Sequence, residues 1–207
     1  LLGLSNGFAI ITAQKFGAKN IADMKKSFAM SLVIGTGISI LFTIAGLLFL
    51  KPILHFLNVP KHLLPVAKGY IAIIIAGLLA TFLYDACAAT LRAIGDAVTP
   101  LIILAISVAL NIVGDLFFVV VLKTGVKGAA IATVLAQIIA FVICWIYMIR
   151  KYEILRLQKE EFKDPSPIMV KEMISAGMSM GFMSSLVNIG TLTLQTAINK
   201  IGKDIII

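Results

Sequence analysis

The chain has 207 residues, of which 60% are hydrophobic and only 14% charged, with a formal net charge of +8 and a mean hydropathy of +1.04. A soluble domain carries about 25% charged residues, so these values exclude a water-soluble globular fold and imply an all-α, multi-pass membrane protein. The basic excess would suggest nucleic acid in a polar chain; here it reads as loop charge, and no nucleic-acid partner is expected.

The chain opens on Leu1–Gln14, uncharged but too short to span a bilayer. Five longer runs follow: Ser27–Leu50, Gly69–Leu91, Ala97–Leu122, Gly128–Ile149 and Met173–Asn199. Each exceeds the ~18 residues that mark a membrane-crossing helix, which predicts one truncated and five complete spans. There is no initiator Met, and the final "DIII" reads as the opening of another helix. The expectation is therefore a piece of a longer protein, with no signal peptide.

The connections carry matching punctuation. "KFGAKNIADMKK" (Lys15–Lys26) is a charged turn with Gly17 and Asn20, "HFLNVPKHLLP" (His55–Pro65) holds two prolines, and "KTGVKG" (Lys123–Gly128) is a tight turn. In "LRAIGDAVTP" (Leu91–Pro100), Pro100 fits a first helical turn with Thr99 as its cap. "RKYEILRLQKEEFKDPSP" (Arg150–Pro167) mixes both charge signs with Leu155 and Leu157, and reads as a solvated or interfacial connector. Loops on one side hold 11 Lys and Arg, those on the other 7, which places Lys15–Lys26, Arg92 and 150–171 in the cytoplasm. Cys87 and Cys144 fall inside apolar runs and read as packing residues; His55 and His62 read as solvated.

Chemistry concentrates in "SVALNIVGDLFFVVVL" (Ser107–Leu122), where Asp115 stands in an otherwise apolar run. A charge at bilayer depth costs at least ~2.5–3.5 kcal/mol. Asn111, four residues earlier, shares its helix face. Folding the hairpin about Thr124 predicts two rungs at equal depth, Asp115 with Thr133 and Asn111 with Gln137. Carboxylate, amide, hydroxyl and carbonyl oxygens are hard ligands, suited to Na⁺ or a proton. The competing reading is a polar clamp between two helices. Asp85 lies two turns before Arg92 and is expected to be linked to it, directly or through water. Gln195 either lines a cavity or bridges helices.

"LRAIGDAVTPL", "LNIVGDLFFV" and "GVKGAAIATVLAQ", with "TAQKFGAKN" before them, resemble in order and spacing the multidrug and toxic compound extrusion (MATE) transporters. The resemblance implies a twelve-helix, two-lobe bundle. Residues 1–149 would be first-lobe helices, with the first helix missing and the opening one truncated. Residues 150–167 would be the cytoplasmic inter-lobe linker, and 168–207 the start of the C-terminal lobe. It implies a cation site of Asn111, Asp115, Thr133 and the carbonyl of Ala129, with Tyr70 as a nearby network residue and Gln137 and Gln195 as network or substrate contacts. The implied activity is Na⁺- or H⁺-coupled antiport of small organic cations or drugs across the cell membrane, without cofactor and not enzymatic, by a protein monomeric at full length. A lipid-linked sugar flippase of the same superfamily is the alternative, with a channel-like subunit and an intramembrane enzyme further off. Two positions depart from the family pattern: Asp85 stands where Asn is expected, and Ser179 replaces a frequent Pro.

Overall fold

The computed structural model describes residues 1–56, 60, 62–163 and 166–205. Parts of three sequence-based expectations lie outside the described residues: the outer loop at 57–59 and 61, the linker at 164–165, and the final helix opening at 206–207.

Seven α-helices account for nearly all of it: α1 (Leu2–Gly17), α2 (Ile21–Phe56), α3 (Leu64–Ala76), α4 (Leu78–Ala93), α5 (Val98–Asp115), α6 (Val126–Lys151) and α7 (Pro167–Ile205). In hydrocarbon every backbone N–H and C=O must pair within its own segment, and apolar runs of this length can do so only as helices. Among the described residues, four helical stretches are long and apolar enough to cross a membrane: Ile21–His55, Leu64–Ala93, Val98–Val121 and Val126–Lys151. The fifth expected run lies inside α7, which continues unbroken through Ser179.

The run expected as one helix over 69–91 is divided at Gly77 into α3 and α4. Val134 of α6 approaches this point so closely that a Cβ on Gly77 would lie 2.5 Å from its Cγ2. The carbonyl of Ile75, beside the break, accepts a hydrogen bond from Thr43 Oγ1 of α2 at 3.2 Å. The break thus buys a close α3–α6 contact, and Thr43 of a neighbouring helix adds a side-chain donor to a carbonyl that the cap backbone also reaches.

The short connections explain how the helices stop. α4 ends in a Schellman turn: Asp96 N–H donates to Leu91 O (2.9 Å) and Gly95 N–H to Arg92 O (3.1 Å). Gly95 occupies the left-handed position at φ +98°. Thr99 does not cap α5. Asp96 does, its Oδ1 accepting the Thr99 N–H at 3.1 Å. A carboxylate three residues upstream reaches the free amide, whereas Thr99 already lies inside the helix. α2 opens on a reciprocal pair, with Asp23 N–H donating to Asn20 Oδ1 (3.1 Å) and Asn20 Nδ2 to Asp23 Oδ2 (2.9 Å).

α1 packs on α2, α4 and α7, and α6 packs on α3, α4 and α5. The larger buried cluster sits at the end where the linker lies, with Met24 and Phe28 of α2, Leu91 of α4, Ile103 of α5, and Cys144 and Met148 of α6. Leu155 of the linker is fully buried in it. The expected solvated or interfacial connector is therefore corrected. Residues 152–162 fold back as two 3-10 turns, Glu153–Leu155 and Lys159–Phe162, because Leu155 and its neighbours have apolar surface to bury. Lys25 of α2 meets Glu161 at 3.9 Å.

Asp96 fastens the beginning of this linker. Its Oδ2 accepts from Tyr152 OH (2.8 Å), Thr99 Oγ1 (3.0 Å) and Tyr147 OH (3.1 Å), and Lys151 Nζ lies 3.7 Å away while donating to Tyr147 OH. Burial alone would push the Asp96 carboxyl up; the Thr99 N–H, the Tyr152 and Thr99 hydroxyls and the Tyr147 phenol outweigh it and hold it down at about 2. A carboxyl depressed below its free value of ~3.9 stabilises the fold in full above that value and loses the contribution as pH falls through about 2. Asp96→Asn is expected to cost about 1–3 kcal/mol at neutral pH. Melting curves of the full-length protein in detergent check this: the difference between wild type and Asp96→Asn should shrink as pH drops from 5 toward 2.

Candidate cation site

α5 and α6 form an antiparallel hairpin closed by residues 122–125, with Gly125 at φ +64°. Three contacts set its register. Ser107 Oγ donates to Ala136 O at 3.2 Å. Asn111 Nδ2 donates to Thr133 Oγ1 at 3.2 Å, and Thr133 Oγ1 donates in turn to Ala129 O at 3.0 Å. A Cβ on Gly114 would lie 3.0 Å from the Ala132 Cβ.

This register differs from the expected one. Asn111 meets Thr133 and not Gln137, and Asp115 lies level with Ala129 and not with Thr133. The cause is the segment directly after Asp115. Leu116–Val121 is π-helical, with Leu122 N–H donating five residues back to Phe117 O at 3.0 Å. A π-turn holds more residues per turn than an α-turn, so α5 spends more residues than α6 to descend to the same depth. Thr124 holds the end of this segment, its Oγ1 donating to Phe118 O at 2.6 Å.

Asp115 is the carboxylate of this hairpin. Its Oδ1 is buried and, among the described residues, accepts no hydrogen bond. With Ala129 and the apolar Ile112, Leu116, Val119 and Val120 it lines a shallow depression of about 380 Å³. A buried acceptor without a donor costs roughly 1–3 kcal/mol, more if charged, and a proton or a hard cation would relieve that cost. Hard oxygens of the kind such an ion takes are near: the Asp115 carboxyl and Ala129 line one depression, with the Asn111 amide and the Thr133 hydroxyl one turn away along the same seam. Gln137 Oε1 is likewise buried without a donor.

The remaining expected residues gather less tightly. Tyr70 is half-buried on α3, next to Gly69, which lies against the Lys127 side chain at the start of α6. Among the described residues no hydrogen bond joins Tyr70 to the Asn111–Thr133 pair. Gln195 is exposed on α7, which among the described residues touches α1 and α2 but neither α5 nor α6. Asp85 and Arg92 form no ion pair among the described residues. Two helical turns separate them by about 10 Å of rise, and Arg92 Nη2 instead donates to Asn6 Oδ1 of α1 at 3.2 Å. Sequence reasoning passed over Ser107, although Ser107, Asn111 and Asp115 recur every four residues along one face, a legible signal. It also passed over Asp96, whose tyrosine and lysine partners lie about fifty residues away.

The sequence profile of the MatE family matches residues 1–117. The chain belongs to the MatE family. Among curated MatE-like relatives, the probable multidrug resistance protein YpnP of Bacillus subtilis is 32% identical, covering 100% of this chain and 46% of its own length. The multidrug export protein MepA of Staphylococcus saprophyticus is 24% identical, covering 94% and 44% respectively. The chain thus spans about half the length of the curated relatives it matches. A crystal structure of a MATE protein in the bent conformation superposes with a TM-score of 0.86 at 22% identity, over 95% of this chain and 44% of that one. The outward-facing conformation of a MATE transporter of the MOP superfamily gives 0.79 at 22% identity, over 88% and 42%. At these identities the superpositions establish the fold: this MatE chain is a part of a multi-pass helical bundle.

The orphaned oxygen sets an expectation for stability. Asp115→Asn keeps the shape and replaces a carboxyl whose buried oxygen has no donor, so the full-length protein should be as stable as the wild type or more so, by up to about 1 kcal/mol. Asn111→Ala, which deletes a made hydrogen bond, should cost about 1 kcal/mol. Thermal unfolding of both variants in detergent tests the contrast.

Proposed function

We propose that the full-length protein is a cation-coupled secondary antiporter that exports small organic cations or drugs, with Asp115 as the residue that takes up the coupling ion. The observation that carries this reading is the buried, donor-free Oδ1 of Asp115 beside the Asn111–Thr133–Ala129 chain. The names of the curated relatives, multidrug resistance and multidrug export proteins, support the substrate class. On this reading 1–149 belongs to one lobe, 150–167 is the cytoplasmic linker and 168–207 opens a second lobe.

The mechanism follows from linkage. A carboxylate that binds H⁺ or Na⁺ better in one conformation than in another biases the conformational equilibrium by that difference in affinity, and by no more. Asp115 is placed for this. Its carboxylate sits where charge is expensive, and the π-turn that begins at the next residue gives α5 a backbone element whose hydrogen-bond pattern is able to change. Asn111 and Thr133 hold α5 and α6 in register, so the ion's arrival at Asp115 is felt by both helices. Na⁺ would need several oxygens together, whereas a proton needs mainly Asp115.

The full-length protein in vesicles, with a Na⁺ gradient or a pH gradient imposed separately, provides the test. Asp115→Asn is expected to reduce gradient-driven export of a cationic dye by about tenfold or more, a loss of ~1.4 kcal/mol in coupling. Thr133→Ala should weaken a Na⁺-driven process strongly and an H⁺-driven one little. Undiminished export by Asp115→Asn, or no response to either gradient in the wild type, rejects the proposal.

A further inference from the structure

The two ends of the bundle carry charge differently. At the linker end basic and acidic side chains are interleaved, and the three ion pairs found among the described residues, Lys25–Glu161, Lys151–Asp96 and Arg156–Glu153, all lie there. The opposite end holds Lys51 near the end of α2, Lys68 near the start of α3, Lys123 in the α5–α6 turn and Lys127 at the start of α6, all exposed. Acids are missing from the neighbouring sequence: none stands between Asp23 and Asp85, or between Asp115 and Glu153. On α2, α3, α5 and α6 the nearest carboxylate to these lysines is Asp115, and among the described residues it makes no ion pair with them.

Helix packing gathers these lysines at one level. The Lys127 stem lies over α3, where a Cβ on Gly69 would be 2.5 Å from its Cε, and Lys68 is the adjacent residue. α2 joins α3 further down, with a Cβ on Gly46 3.2 Å from the Ile75 side chain. From that contact Lys51 lies five residues along α2 and Lys68 seven residues back along α3, about 8 Å and 10 Å of rise toward the same end. Lys123 stands in the turn itself, at φ +52°. Like charges collected beside a low-dielectric medium repel each other with little screening. The helices that carry them supply no acid at that level to offset it.

The surface beside the lysines says which anion fits. Leu48, Phe49 and Ile53 of α2 and Val66 of α3 are exposed and apolar, within a turn of Lys51 and Lys68. A free anion would answer only the charge, whereas a phospholipid lays its acyl chains on the apolar side chains and its phosphate within reach of the long lysine stems. A zwitterionic headgroup brings its own cation and cancels much of the attraction; an anionic one does not. We infer that Lys51, Lys68, Lys123 and Lys127 form a collar that binds the headgroups of anionic phospholipids at the end of the bundle away from the linker. The collar is independent of the antiport reading, since it uses neither Asn111 nor Asp115.

The test uses the full-length protein in detergent, titrated separately with phosphatidylglycerol, phosphatidylcholine and inorganic phosphate. Melting temperature and the lipid retained in native mass spectrometry are the readouts. Phosphatidylglycerol should raise the melting temperature and stay bound; phosphatidylcholine and inorganic phosphate should do neither. The combined variant Lys68→Gln, Lys123→Gln, Lys127→Gln should need about tenfold or more phosphatidylglycerol for the same effect, with its melting temperature in phosphatidylcholine unchanged. Arginine at the same three positions should restore the wild-type titration. The variant Lys15→Gln, Lys19→Gln, Lys26→Gln, which removes as many charges from the linker end, should titrate like the wild type. Equal stabilisation by phosphatidylcholine overturns the collar, as does equal stabilisation by inorganic phosphate, which would mark a soluble-anion site. An equal loss in the linker-end variant also overturns it, because total charge alone would then account for the binding. Should the glutamine variant fail to fold, the lipid comparison on the wild type and on the arginine variant decides the matter.

Discussion

Hydrocarbon tolerates no unpaired polar group cheaply, and most of this structure follows from how each one is paired. Backbone groups pair within the helices. Thr12, Ser31 and Thr90 donate back to carbonyls three or four residues earlier, Thr43 covers the carbonyl at the Gly77 break, and Ser107 and Asn111 reach across to α6. Against that background the donor-free Asp115 Oδ1 is an exception, and it lies beside the one seam where α5 and α6 are held by side-chain hydrogen bonds. The exception and the scaffold therefore lie side by side: the cross-helix bonds fix where the Asp115 carboxyl sits relative to α6.

Much of the architecture was legible because apolar length is a strong signal. The runs at 27–50, 97–122 and 128–149 each lie within a single helical region, and the turns at 95 and 125 fall where glycine is present. The site was legible in composition but not in register. Asn111, Thr133 and Ala129 do form a chain of hydrogen bonds, yet counting residues from the turn paired them wrongly, since nothing in "LFFVVV" announces a π-turn. An apolar run after an Asp reads equally well as α-helix, and only the backbone bond from Leu122 N–H to the Phe117 carbonyl reveals the wider winding.

The linker was misjudged for a different reason. Its charge count suggested solvent, but charge density averages over residues with opposite fates. Leu155 drives into the core while Glu153 and Arg156 beside it stay outside and pair with each other at 3.5 Å. Asp96, Tyr147 and Tyr152 come from the α4–α5 turn and the end of α6, and their meeting depends on α4 and α6 packing together, which no local pattern encodes. The same holds for Arg92, whose partner Asn6 lies on α1.

The docked linker also sets the length of a leash. Because Tyr152, Leu155 and Glu161 are secured to the helical bundle, the chain between Phe162 and the first residue of α7, Pro167, is only a few peptide units long. Fully stretched, five such steps reach about 18 Å. The foot of α7 can pivot about that anchorage, but it cannot travel far from it.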